Sequence, residues 1–242
     1  MATSPDGAAW AEVTIPFALW KSLTFVNGQF IALAEYTNIA LTSTDGTNWT
    51  TRSLPEKAGW MSVAWGDNKY VAVSTTGAAA TSGDGVVWST LSMTASSYWK
   101  AIAFGNNLFV AISGGGTVAA TSPDGTTWTT RTLPSVNGGW TTLVFNGTLF
   151  LATSEKGEGA ISTDGIEWTK ITGVYYGVRK VAYGNGLFVG VEENGGNQCA
   201  TSLAGNAWTT QTLPDSGTWR SVVYGKNRFV AISSDCKTVI GQ

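Results

Sequence analysis

The sequence predicts an all-β protein, a six-bladed β-propeller of four-stranded antiparallel blades, and three observations predict it. An eight-residue box, Thr121-Ser122-Pro123-Asp124-Gly125-Thr126-Thr127-Trp128, has close copies at Thr3 to Trp10, Thr42 to Trp49, Thr81 to Trp88 and Ile161 to Trp168, and a weakened one at Thr201 to Trp208. Its aspartate position falls at Asp6, Asp45, Asp84, Asp124, Asp164 and then Ala204, in steps of 39, 39, 40, 40 and 40 residues. A period of this length marks a repeat architecture. Finally, each unit has room for four short strands punctuated by Gly, Asn and Pro, as a propeller blade requires.

The elements follow in order within each unit. A first strand opens on an aromatic residue, as in Trp60-Met61-Ser62-Val63-Ala64-Trp65-Gly66 or Trp99 to Gly105. A tight turn comes next, Asp67-Asn68-Lys69 or Asn106-Asn107-Leu108, built from residues that tolerate positive φ. The second strand is an apolar run: Phe30 to Ala34, Tyr70 to Ser74, Phe109 to Ser113, Phe150 to Ser154, Phe188 to Glu192 and Phe229 to Ser233. A third strand ends in the box. A fourth, such as Trp128-Thr129-Thr130-Arg131-Thr132-Leu133, alternates polar and apolar as an outer strand with one wet face should, and Pro55, Pro134 and Pro214 stop the ladder.

The last unit stops after a third strand, Lys237 to Ile240, while a spare box and outer strand stand at the other terminus, in Ala2 to Pro16. The expectation is a ring closed by pairing the N-terminal strand with the C-terminal blade, which would remove the open edges. The unbroken period leaves no linker, so residues 1–242 are expected to form a single domain.

Composition narrows the function classes. The formal net charge is −2, from 14 basic and 16 acidic residues, so no bulk field recruits nucleic acid or an anionic membrane. Histidine is absent, which removes Ser-His-Asp and Cys-His catalysis, and there is no phosphate loop or metal-ligand cluster; no cofactor and no metal are expected. Cys199 and Cys236 lie one repeat apart, and both a bridge between neighbouring units and two small buried hydrophobes remain open readings. No run approaches the roughly 18–20 apolar residues of a spanning helix, and Met1 leads straight into a box without a signal peptide's apolar core. The expectation is a soluble protein without membrane insertion, either cytoplasmic or a virion component released without a signal peptide.

Ser-x-Asp-Gly-x-x-Trp between third and fourth strands resembles the Asp-box repeat of sialidases and other propellers, one residue shorter before the glycine than the commonest form. Together with the strand pattern seen at Val178 to Gly190, it is similar to repeats of phage tail fibre and tail-associated propeller proteins. The resemblance covers nearly the whole chain and implies the fold; Asp-box propellers host unrelated activities, so it implies little about chemistry.

Physically the box reads as a turn device. Asp6, Asp45, Asp84, Asp124 and Asp164 are expected to accept backbone N–H bonds, the glycine to supply positive φ, and the tryptophan to pack on the blade's outer edge. Attention therefore moves to the opposite end of the strands, where Trp20, Trp60, Trp99, Trp140 and Trp219 open first strands, with Val178 at the sixth position. The residues after them are Lys21, Met61, Lys100, Thr141, Arg179 and Arg220. Aromatic rings beside cations suit a sugar's apolar face and a carboxylate or phosphate; alternatively, these tryptophans wedge between blades with the basic heads reaching solvent. The candidate ligand-binding set is Trp20, Lys21, Trp60, Trp99, Lys100, Trp140, Arg179, Trp219 and Arg220.

The expected function is a non-enzymatic recognition or structural propeller, by resemblance a phage tail-associated receptor-binding or adhesion protein contacting a cell-surface glycan and other virion proteins. Two alternatives stand beside it: a purely structural virion or scaffold protein, and a sialidase-like glycoside hydrolase. The last would draw two of Glu35, Glu155, Glu158, Glu192, Glu193 and Asp235, but only five arginines are available for an acidic substrate, and Arg52 and Arg131 sit on outer strands.

Overall fold

The computed structural model describes residues 1–4, 9–95, 97–174, 176–235 and 237–241. Asp6 and Cys236, and with the latter the disulfide reading, lie outside the described residues. Strands β1 (Ala2–Thr3) and β2 (Ala11–Glu12) pair with each other, Ala2 opposite Glu12. A six-stranded sheet follows: β3 (Leu19–Val26), β4 (Gln29–Ser43), β5 (Thr50–Gly66), β6 (Lys69–Ser74), β7 (Ala79–Ser82) and β8 (Ser89–Leu91). Tyr36, at φ 59°, interrupts β4: residues up to Glu35 pair with β3, while Glu35 and the residues from Thr37 on pair with β5. β5 in turn leaves β4 after Gly59 and pairs with β6 from Trp60. This sheet is thus two four-stranded blades run together.

Three four-stranded sheets come next: β9 (Trp99–Gly105) with β10 (Leu108–Ser113), β11 (Val118–Ser122) and β12 (Thr129–Thr132); β13 (Trp140–Phe145) with β14 (Phe150–Ser154), β15 (Glu158–Ser162) and β16 (Thr169–Thr172); and β17 (Val178–Gly184) with β18 (Leu187–Glu192), β19 (Gln198–Ser202) and β20 (Thr209–Thr212). The last sheet has three strands, β21 (Trp219–Gly225), β22 (Arg228–Ser233) and β23 (Thr238–Gly241).

The all-β propeller expectation holds, but the count of six is corrected: five blades have four strands. The sixth repeat has three strands, β21, β22 and β23. The N-terminal strands β1 and β2 pair with each other, and among the described residues no ladder joins either of them to β23. The chain divides into two compact units, Met1–Thr3 with Ala11–Thr132, and Ser4–Trp10 with Leu133–Gln242. The first holds the blades from β3 to β12 and the second the sheets from β13 to β23.

Local chemistry explains the blades. The hairpins between first and second strands, apart from the β13–β14 turn at Asn146, place both central residues at positive φ, Asn106 at 48° and Asn107 at 57° for example, the two-residue turn whose twist matches the flanking strands. The core forms where one blade's second strand meets the next blade's first strand. In the first unit Ile31 and Leu33 pack with Trp60 and Val63, and Val71 and Val73 with Trp99 and Ile102. In the second, Leu151 packs with Val178 and Val181, and Val191 with Trp219 and Val222. An aromatic triplet crosses each complete blade, such as Phe104, Phe109 and Trp128, with successive ring centroids 4.7 and 6.4 Å apart.

Candidate functional site

Box turns stand at one end of the blades and strand irregularities at the other. At the box end, Asp124 Oδ1 accepts the Ser122 hydroxyl at 2.9 Å and the backbone N–H groups of Thr126 and Thr127 at 2.8 and 2.7 Å. Asp45, Asp84 and Asp164 do the same with their own neighbours. These donors hold all four carboxyls below the usual range, backbone amides being the largest cause in each. The box tryptophan closes the turn, Trp49 Nε1 donating to the Gly46 carbonyl at 3.0 Å. On outer strands, Arg52 and Arg131 donate to Thr42 and Thr121 hydroxyls of the adjacent strand, away from the other end.

At that other end every first strand has a β-bulge. The register skips one residue between Trp20 and Ser22, Trp60 and Ser62, Trp99 and Ala101, Trp140 and Thr142, Val178 and Lys180, and Trp219 and Ser221. The skipped residues are Lys21, Met61, Lys100, Thr141, Arg179 and Arg220. A bulged residue is left out of the ladder and its side chain is re-aimed, which is why bulges gather beside binding sites. The first residue beyond the second strand then bonds back to the carbonyl before the opening position, as Gly114 N–H does to Tyr98 at 2.7 Å and Glu155 N–H to Gly139 at 3.1 Å.

This geometry brings Lys21, Arg179 and Arg220 against loop carboxylates. In the first unit Lys21 Nζ lies 2.9 Å from Glu35. In the second, a belt of four charges spans three successive repeats: Glu155 pairs with Arg179 at 3.0 Å, Arg179 with Glu193 at 2.7 Å, and Glu193 with Arg220. The guanidinium-bearing side chains of Arg179 and Arg220 remain 41% and 52% exposed, so the belt faces solvent. Glu158 is held elsewhere, by the Asn137 N–H and by Lys170 at 2.9 Å, which keep it below the usual carboxylate range. Asp235 is likewise lowered, by the Ser233 hydroxyl first and Lys237 second. Both shifts run opposite to what a protonated general acid needs. Glu192 stands apart. It is 5% exposed and occupies the position of Ser74, Ser113, Ser154 and Ser233, opposite Val178, which stands where the other repeats have tryptophan.

The tryptophans themselves are core. Trp60, Trp99, Trp140 and Trp219 are 0–1% exposed, and Trp20 alone of the five is partly open, its Nε1 bonded to the Pro16 carbonyl at 3.2 Å. The exposed aromatics at this end include residues the sequence reading did not select: Phe17, 99% exposed, and Tyr36, Tyr98 and Tyr176, between 51% and 70% exposed. Tyr98 lies over Gly114 next to Lys100, and Tyr176 accepts a hydrogen bond from Lys156 Nζ at 3.0 Å. Tyr98 and Tyr176 stand one and two residues before an opening position, the signal that could have found them. A cleft of about 480 Å³ also opens at this end of the first unit, lined by Lys57, Thr76, Leu91 and Met93. Among the described residues no cluster of His, Cys, Asp and Glu suits a metal ion, and no helix is long and apolar enough to cross a membrane.

Solved structures share this fold. Virginiamycin B lyase from Staphylococcus aureus superposes with a TM-score of 0.81 at 13% identity, over 96% of this chain and 83% of that one. YCF48 from Cyanidioschyzon merolae gives 0.67 at 18% identity, over 97% and 85%. The Niastella koreensis GH74 enzyme gives 0.70 at 16% identity, over 92% of this chain and 36% of that one. At such identities the likeness is one of fold alone. No curated protein sequence matches the chain. The profile of the DUF6242 beta propeller domain matches residues 82–227, more than half of the sequence, and the chain belongs to that family.

Proposed function

We propose that this propeller is a non-enzymatic recognition module that binds an acidic glycan at the bulge end of its strands. The observation that carries the reading is the bulge itself, which recurs in all six repeats and lifts Lys21, Lys100, Arg179 and Arg220 out of the ladder. In the second unit exposed Tyr176, bonded to Lys156, offers a flat apolar face for a sugar ring, and Arg179 and Arg220 offer forked donors for a carboxylate or phosphate. The ligand competes there with Glu155 and Glu193, which keep the guanidiniums pre-oriented in its absence. Resemblance of the repeat to phage tail-associated propellers suggests a virion protein that contacts a cell-surface glycan and neighbouring virion proteins.

Calorimetric titration with sialyllactose and with uronic-acid oligosaccharides tests this. Saturable binding by the parent, weakened at least tenfold by Arg179→Ala with Arg220→Ala and separately by Tyr176→Ala, is expected. Unchanged affinity in both variants, or no saturable binding by the parent, would overturn it.

A further inference from the structure

The sixth box has lost its aspartate, and what remains is a cradle for somebody else's carboxylate. In the four intact boxes of the described residues, one aspartate oxygen accepts two consecutive backbone N–H groups and a serine hydroxyl, all at 2.7–3.0 Å. In the sixth, Ala204 stands at that position, yet the turn is unchanged. Gly205 keeps φ at 80° and donates to Ser202 Oγ at 2.9 Å, and Trp208 Nε1 donates to the Gly205 carbonyl at 2.8 Å. The N–H groups of Asn206 and Ala207 correspond to the two that elsewhere grip the carboxylate, and among the described residues no side chain reaches them. Where the carboxylate would lie, a cleft of about 420 Å³ opens, lined by Leu187, Ser202, Leu203, Ala204, Asn206 and Ala207.

We infer that this turn binds an external carboxylate, its oxygen held by the Asn206 and Ala207 amides and the Ser202 hydroxyl. Successive backbone N–H groups around a positive-φ glycine form an anion-binding nest, and here the same chain shows four times over which anion the nest fits. The ligand's stem is apolar: Leu203, 76% exposed, and Ala204 and Ala207 flank the entrance. This site lies at the box end of its blade, away from the bulges, and does not depend on the glycan reading.

The test is a ¹⁵N–¹H titration of the full chain with sodium acetate and sodium butyrate at constant ionic strength, with sodium chloride as control. Saturable shifts confined to the Asn206 and Ala207 amides are expected in roughly the 1–100 mM range that so small a ligand reaches, with butyrate at least as tight as acetate. Ala204→Asp, which supplies the carboxylate from within, should abolish the response. No saturable shift in the parent, or an equal shift in Ala204→Asp, overturns the inference; weaker binding of butyrate than of acetate overturns the apolar stem. Should Ala204→Asp fail to fold, Asp124→Ala decides: the amides of Thr126 and Thr127 must gain the acetate response, and their silence overturns the assignment.

Discussion

Whether the opening tryptophans serve the core or a ligand is decided by substituting phenylalanine at Trp60 and Trp99. Both rings are fully buried. Trp60 Nε1 donates to the Glu56 carbonyl at 3.3 Å, whereas Trp99 Nε1 is buried without a partner. Replacing indole by phenyl removes roughly 40 Å² of buried apolar area and leaves a small void, together costing about 2 kcal/mol. At Trp60 the lost hydrogen bond adds about 1 kcal/mol. At Trp99 the substitution also removes an unsatisfied buried donor, which returns about 1–3 kcal/mol. Trp60→Phe should therefore lose about 3 kcal/mol and Trp99→Phe about 1 kcal/mol or less. Urea unfolding at 25 °C, followed by far-ultraviolet circular dichroism, measures both. Equal losses, or an unchanged stability for Trp60→Phe, would refute the assignment of these rings to the core.

Other consequences are as direct. Gly66 lies beneath the Phe104 ring and Gly184 beneath the Tyr224 ring, with no room for a Cβ, so Gly66→Ala should destabilise by about 1–3 kcal/mol through overpacking; the double variant Gly66→Ala with Phe104→Leu should recover part of the loss in the same urea assay. The box carboxyls have folded pKa values below their unfolded ones, so their contribution is fully present above the unfolded value of about 3.9 and fades as pH falls through the folded value. Thermal midpoints should accordingly hold from pH 7 to about 5 and then fall, less steeply in Asp84→Asn than in the parent. Arg179→Ala should leave the thermal midpoint within about 2–4 °C of the parent, since exposed ion pairs contribute at most about 1 kcal/mol.

Much of this structure is legible in the sequence because its determinants are local. The box spans eight residues, and its Asp, Gly and Trp act on neighbours within four positions, so the turn geometry at Asp124 follows from composition alone. The hairpins at Asn106 and Asp67 follow for the same reason. What lay beyond reach depends on which residues meet. A tryptophan opening a strand has the same sequence whether it faces a channel or the preceding blade, and only the packing of Trp99 on Val71 and Val73 shows the second. The blade count failed similarly: six opening residues are visible, but a repeat becomes a four-stranded blade only if a fourth strand finds it, and Ala2–Thr3 finds Ala11–Glu12. The charge belt sits between these cases. Lys21 and Glu35, like Arg179 and Glu193, are fourteen positions apart on either side of one hairpin, so drawing the strand register would have exposed those pairs. Arg220 with Glu193 needed the neighbouring blade.

The bulges give the molecule a set of equivalent positions outside the strand register, of which only Thr141 is buried. A residue that takes no part in strand register is free of the alternation that constrains its neighbours, and Lys, Met, Lys, Thr, Arg and Arg already occupy equivalent places on the same scaffold. Where the bulged side chain reaches solvent, as at Lys21, Arg179 and Arg220, the repeat offers one side chain that can be exchanged without rewriting the strand around it, so a new binding preference can be composed one blade at a time.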